Sequence, residues 1–349
     1  MTASDVSRDF ASDNVEGASP EILEAMIRAN AGPAPSYGAD ALTSRVTQRL
    51  RQVFEHESLE VLLVSSGTAA NALSLAAVTP PWGSVLCHDD AHVFSDECGA
   101  PAFFGDGLAL ATLPGPASQL ELATLRRVAA ADRGDVHSQQ PACVTVTQAT
   151  EGGTVYSLEA LQAIGAVCRD HRLRFHMDGA RFANALVRLD CTPAQMTWRA
   201  GVDLLSFGAT KNGALGAEAI VCFDPALAES LAFRRKRAGH LASKMRFIAA
   251  QLDAYLEGDL WLRNARHANA MAQRLANGLA ALPGISFVDP VDANLLFVRF
   301  PAGVAERLWG LGFRFYPDRR NAGAVRLATS FRTSRESVDA FLEAARPIG

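Results

Sequence analysis

The sequence predicts an α/β protein, a mostly parallel sheet with helices on both faces, joined to a smaller α+β domain. Three observations carry that expectation. Between about residues 61 and 222, short β-rich runs alternate with helical patterns. After about residue 231, the rhythm gives way to long Ala/Leu/Arg-rich stretches and then to short strands. Finally, 349 residues that are 49% hydrophobic and 20% charged can bury one large core and a second, smaller one.

The elements follow in order. Residues 1–40, with Pro20, Pro33, Pro35 and several glycines, read as a short helix and an arm. Val61–Ser65 reads as a strand, Gly67–Val78 as a helix and Ser84–Cys87 as a strand. Val144–Thr147 is a buried strand. Leu158–His171 is an amphipathic helix with apolar residues at 158, 161, 164, 167 and 168. Phe175–Met177, Leu204–Phe207 and Ile220–Phe223 are further strands. Two long helices are expected to fill 231–282, followed by strands near Ile285–Val288 and Asn294–Arg299, a helix at Ala302–Leu311 and a strand at Val325–Ala328. Arg335–Arg346 closes the chain as a helix with Ser334 as N-cap. The expected division is an arm (1–40), a large domain (41–240) and a small one (241–349).

Composition excludes several function classes. A net charge of −4 argues against a nucleic-acid partner, and the cluster Arg234-Arg235-Lys236-Arg237 reads as a solvated helix face. Six cysteines without a CxxC pattern read as reduced thiols, not a disulfide framework or metal site. Met1–Asp13 is polar with no apolar core, so no signal peptide is expected. No apolar run reaches the ~18 residues of a membrane span. The expected setting is the cytoplasm.

Ligands of open α/β sheets gather beyond the carboxyl ends of the strands, so chemistry is sought there. The strand Leu204–Phe207 runs into Gly208-Ala209-Thr210-Lys211-Asn212-Gly213, a lone lysine among small residues. A nucleophilic lysine must lose its proton, which an apolar setting favours. One strand earlier, His176-Met177-Asp178-Gly179-Ala180-Arg181 sets a carboxylate at a strand end. A pyridoxal ring acts as an electron sink only while its pyridine nitrogen is protonated, and a buried carboxylate enforces that. The pair Asp178 and Lys211 therefore points to pyridoxal 5'-phosphate. Ser65-Ser66-Gly67-Thr68-Ala69-Ala70-Asn71 opens a helix, whose N-terminal amides can hold one phosphate through Ser66, Gly67 and Thr68. It lacks the signatures of a nucleotide P-loop or a dinucleotide turn, which counts against a dehydrogenase. His92 follows the strand Ser84–Cys87 and can lie against the ring, with Asp96 or Glu97 as candidates to orient it.

Together, Phe10-Ala11-Ser12-Asp13-Asn14, Ser36-Tyr37-Gly38-Ala39-Asp40, the SGTAAN turn, Ala91-His92, DGARFANA and the lysine segment resemble the threonine aldolases. The low-specificity group, including enzymes acting on phenylserine, is the most similar, and the likeness runs from about Phe10 to the last helix. It implies the aspartate-aminotransferase fold (fold type I) and retro-aldol cleavage of L-3-hydroxy-α-amino acids to glycine and an aldehyde. It implies that Lys211 forms the Schiff base, Asp178 pairs with the pyridinium and His92 stacks on the ring. It places Arg181 beside the cofactor, and Ser12, Arg181 and Arg326 around the substrate carboxylate. Tyr37 would come from a partner subunit of a homodimer or homotetramer. Where many members carry a second histidine, this sequence has Ala149-Thr150-Glu151, so either His92 or Glu151 is left to handle the substrate hydroxyl proton, His92 being the expected one. The phosphate-binding basic pattern after the lysine is matched only in part, by Lys236 and Arg237. Another lyase or an aminotransferase on the same fold, and a non-catalytic cofactor-binding regulator, are the competing readings.

Overall fold

The structure, a computed structural model, describes residues 6–131 and 133–346. Seven strands form the large sheet: β1 (Glu60–Val64), β2 (Gly83–His88), β3 (Ala109–Leu113), β4 (Gln140–Thr147), β5 (Arg174–Gly179), β6 (Leu204–Gly208) and β7 (Glu218–Cys222). Their order is β1-β7-β6-β5-β4-β2-β3. The pairs β3/β2, β2/β4, β4/β5 and β5/β6 are parallel, whereas β7 runs antiparallel to both β6 and β1. Strands β2, β6 and β7 are buried along their whole length, as continuous apolar runs covered on both faces should be.

The expected helices Gly67–Val78 and Leu158–His171 form with those bounds. Each starts where a serine oxygen takes an orphan amide: Ser66 accepts from Ala69 and Ser157 from Ala160. Leu161, Ile164, Val167 and Cys168 fill the core beneath the second helix. The region 231–282 differs from expectation, because three helices occupy it: Ala228–Arg237, Arg246–Leu256 and Leu260–Ala280. The breaks come at residues with left-handed backbone, Gly239 (φ +79°) in one and Gly258 and Asp259 (φ +55° and +57°) in the other. The edge strand β3 was not expected either. Its alternation is masked by alanines, and among the described residues its only strand partner is β2.

The small sheet is antiparallel, with β8 (Ser286–Phe287), β9 (Leu295–Arg299), β10 (Tyr316–Pro317) and β11 (Ala324–Ala328) in the order β10-β11-β9-β8. Ser334 caps the last helix, Arg335–Ala345, as expected. The long helix Leu260–Ala280 serves both cores. Leu260, Trp261 and Ala265 pack in the larger, and Met271, Leu275 and Leu279 in the smaller. The helix Arg246–Leu256 packs in the larger core through Ala249, Leu252 and Tyr255, although it follows the expected division at 240/241.

The N-terminal arm is tied to the small sheet. Phe10 donates its amide to Arg314 O and accepts from Ala328 N, both at 2.8 Å, and its ring lies 5.0 Å from that of Phe341. This docking carries Ser12 and Asp13 back to the cleft between the two sheets. No helix among the described residues is long and apolar enough to cross a membrane.

Candidate active site

The parallel neighbours β5 and β6 bring their carboxyl ends side by side, with Asp178 in register with Ser206. Lys211 follows three residues after the end of β6, in a short 3-10 turn. The expected pair is thus placed at adjacent strand ends.

Asp178 is 3% exposed, and each of its oxygens accepts one hydrogen bond. Its Oδ1 accepts from the Ala180 amide at 3.0 Å and its Oδ2 from Asn71 Nδ2 at 2.8 Å. Asn71 also donates to Glu97 Oε1 at 2.8 Å, and His92 Nδ1 donates to the same oxygen at 2.9 Å. One buried amide therefore joins the carboxylate of Asp178 to the His92–Glu97 pair. Of the two residues that could orient His92, the structure selects Glu97. Asp96 turns outward to Arg319 at 3.1 Å. The hydrogen bond to Glu97 raises the His92 pKa, burial opposing it, while burial is the main cause raising Glu97. Nδ1 is committed, which leaves Nε2 as the working nitrogen. Behind Asp178, His176 lies between Thr145 Oγ1 (2.8 Å) and Ser206 Oγ (3.0 Å), and burial pushes its pKa down to about 4, so it is a neutral strut.

The anion turn is open. Ser66 Oγ takes the Ala69 amide and Ser66 O the Ala70 amide, leaving the Gly67 and Thr68 amides as the helix's orphan donors. A Cβ placed on Gly67 would meet nothing within 4 Å. His240 Nδ1 lies 3.1 Å from Ser65 Oγ, and Arg235 NH1 donates to Leu63 O at 3.4 Å. Arg235 is a correction to the solvated-face reading of the basic cluster. Its Nε is buried without a partner, and burial lowers its pKa. Lys236 instead lies over the Tyr37 ring, 4.8 Å from its centroid.

The opposite wall is assembled from distant segments. Arg181 is buried and grips Asp13 through two bonds, Nε to Oδ2 at 2.7 Å and Nη2 to Oδ1 at 3.0 Å. Asn294 adds a third donor to Asp13 at 3.0 Å. Burial would raise the Asp13 pKa, but Arg181, Lys211 and these hydrogen bonds outweigh it and hold the carboxyl below its ordinary value. Asp178 acts electrostatically on Arg181, which sits in the strand-end turn just before the helix Phe182–Leu189. Arg326, on β11, donates Nη2 to Ala11 O at 2.9 Å and keeps a buried Nε without a partner. Burial is the main cause lowering its pKa, with Arg181 second. Glu151 is half-buried and acts electrostatically on His92, Arg181 and Arg326, so it belongs to this cleft. Ser12 caps its own turn by accepting from Asn14 at 3.1 Å, next to the Ala11 carbonyl that Arg326 holds. Tyr37 is not drawn into this cluster. It is 51% exposed, and its amide donates to Ser243 O at 3.0 Å.

These residues fit a phosphorylated pyridine aldehyde. There is an amine for the aldehyde, a buried carboxylate for the ring nitrogen and orphan helix amides for the phosphate. Among the described residues, buried polar atoms without protein partners also surround the cleft, namely Asn71 Oδ1, Glu97 Oε2 and Arg326 Nε, and native interiors seldom leave such atoms unmatched. Sequence reasoning gave no role to Asn71, Asp13, His240 or Glu218. Asn71 had a legible signal, a lone amide in the run Gly67–Val78 of otherwise small and apolar residues.

A family model described as β-eliminating lyase matches residues 9–302. The chain is 46% identical to a low specificity L-threonine aldolase of a Pseudomonas species over 320 residues, 92% of each protein. Among solved structures, threonine aldolase of Leishmania major superimposes with a TM-score of 0.89 at 28% identity, over 97% of this chain and 98% of that one. Aspartate aminotransferase of Thermus thermophilus, at 18% identity, shares the fold with a TM-score of 0.70 over 96% and 89% of the two chains. The fold is that of the fold-type-I pyridoxal-phosphate enzymes.

Proposed function

The chain belongs to the β-eliminating lyase family, and from that membership we propose that it cleaves L-threonine, L-allo-threonine and related L-3-hydroxy-α-amino acids to glycine and an aldehyde. It is a pyridoxal-phosphate-dependent lyase of the threonine aldolase type. The observation that carries the substrate reading is Arg326, a half-buried guanidinium whose buried Nε has no partner among the described residues, near the occupied Arg181–Asp13 pair.

In this reading Lys211, Asp178, Ser66, Gly67, Thr68 and His92 hold the cofactor. When bound, pyridoxal phosphate supplies an electron sink for the charge that bond cleavage releases at Cα. Asp178 keeps the proton on the ring nitrogen, and Asn71 and the Ala180 amide keep Asp178 in place. Arg326 takes the substrate carboxylate, with Ser12 and the remaining edge of Arg181 beside it. That grip sets which bond at Cα faces the cleavage direction. His92 Nε2 receives the β-hydroxyl proton, directly or through a water, while Glu97 fixes the ring and raises its basicity. Glu151 shapes the pocket around the β-substituent.

A homodimer or homotetramer is part of the proposal. Tyr37, exposed and outside its own chain's cluster, serves the partner subunit's cleft. The cytoplasm is the proposed setting. The test is aldehyde release from L-threonine, L-allo-threonine and L-phenylserine, with borohydride reduction and peptide mapping. Aldehyde together with label on the Lys211 peptide is expected. Pyruvate or transamination without aldehyde would overturn the aldolase reading.

A further inference from the structure

We propose that Glu218 is the electrostatic partner of Lys211, a buried positioning carboxyl that sets the proton affinity of the lysine nitrogen. The inference rests on Lys211 carrying the cofactor.

The turn 209–217 joins β6 to β7, and Glu218 is the first residue of β7, in register with Gly208 on one side and Val64 on the other. Strand alternation puts it on the same face as Ile220, which pairs with Ser206, the register neighbour of Asp178. Around it Leu62, Val64, Leu204 and Ile220 pack against Ala69, Ala70 and Leu73, while Ser206 and Asp178 share the face farther along the sheet. Glu218, 7% exposed, stands at the end of that apolar patch. Glu218 Oε1 accepts the amide of Thr210, adjacent to Lys211, at 3.3 Å. The rest of the turn is held by neutral groups. Asn212 Nδ2 donates to Tyr255 OH (2.8 Å) and Trp261 O (2.9 Å), and the Leu215 amide to Gln251 Oε1 (2.9 Å).

The titratable groups that act on or respond to Glu218 are few. Lys211 comes from the turn and Asp178 from β5, and Asp13, on the arm segment packed against the turn, is a second carboxyl on which Lys211 acts. Tyr255 comes from the helix Arg246–Leu256, its phenol pushed well above its ordinary value by burial first and in part by Glu218. The helix Gly67–Val78 has no charged residue. Lys211 is the cation that most strongly opposes the effect of burial on this carboxyl. Burial raises the Glu218 pKa to about 7, against the hydrogen bonding of Thr210 and the charge of Lys211. Near neutral pH it can be the counter-ion of a charged lysine nitrogen, or take a proton when that nitrogen is neutral. In neither state does a lone buried charge remain.

The experiment is a spectrophotometric pH titration of cofactor absorbance in wild-type holoenzyme and in Glu218→Gln. The amide oxygen of the variant can still accept from Thr210, while the negative charge is gone. A carboxylate favours the protonated lysine nitrogen, so the inflection should fall by about one pH unit or more, and Glu218→Asp should restore part of it. Superimposed titrations at full cofactor content would overturn the proposal. So would a Glu218→Gln chain that cannot fold or take up cofactor near pH 6, because the amide mimics the protonated acid. Wild-type protein whose cofactor is not fixed to Lys211 by borohydride would instead overturn the functional reading beneath it.

Discussion

The two walls of the cleft are built differently. The cofactor wall is made of residues at strand ends and helix starts of one sheet, with Asp178, Asn71, Glu97 and His92 joined by three hydrogen bonds. The substrate wall draws Asp13 from the N-terminal arm, Arg181 from the large sheet and Arg326 from β11, with Asp13 and Arg181 168 residues apart. The first wall can form as soon as the large sheet does. The second exists only when the arm and the small sheet have docked. Lesions in the first should therefore appear in rate and spectrum, and lesions in the second should divide between substrate affinity and stability.

The largest effects fall on the cofactor wall. Lys211→Ala should lose nearly all turnover and the borohydride label, since no other amine stands at that strand end. Asp178→Asn leaves geometry nearly intact but removes the charge. Breaking such a buried pairing typically costs ~3–5 kcal/mol, and if most of that falls on the transition state the rate drops about two to three orders of magnitude. Retention of rate within a few-fold would reduce Asp178 to a turn-capping residue.

The two arginines give the sharpest contrast. Arg326→Leu should raise KM strongly, by roughly 30-fold or more if ~2–5 kcal/mol of charge-paired binding is lost, with little change in melting temperature. Arg181→Leu strands Asp13 as a buried unpaired anion and should destabilise the fold by about 3–5 kcal/mol. If both variants behave alike in melting and in KM, the two arginines do not divide the work as the geometry indicates. The pH dependence has a definite sign. The folded pKa of Asp13 is depressed, so the stability it contributes is present above the unfolded value and lost as pH falls through the folded one. In Arg181→Leu that acid-side loss should move to higher pH.

A smaller effect is expected from Glu97→Gln. The Glu97 hydrogen bond raises His92, so its weakening should shift the acidic limb of the kcat profile to lower pH while cofactor is retained. An unmoved limb would mean that another group receives the hydroxyl proton. Glu151→Gln should change least, altering KM or the preference between β-epimers a few-fold. Abolished turnover in that variant, with His92→Asn still active, would reverse the two roles.

Local chemistry was legible in the sequence wherever a residue's task is set by its own strand or helix end. The bounds of Gly67–Val78 and Leu158–His171, the Ser334 cap and the Asp178–Lys211 pair all rest on periodicity, capping and strand-end position, which operate within a few residues. Only the tertiary structure decided that β7 runs antiparallel, that Glu97 and not Asp96 holds His92, that Asp13 occupies Arg181 and that Glu218 lies beneath the lysine turn. Each of those depends on which distant group arrives next to a buried charge. A carboxylate carries the same local signal in the sequence whether it ends up in water, on an arginine or alone, and packing alone removes the water that makes those fates differ in energy.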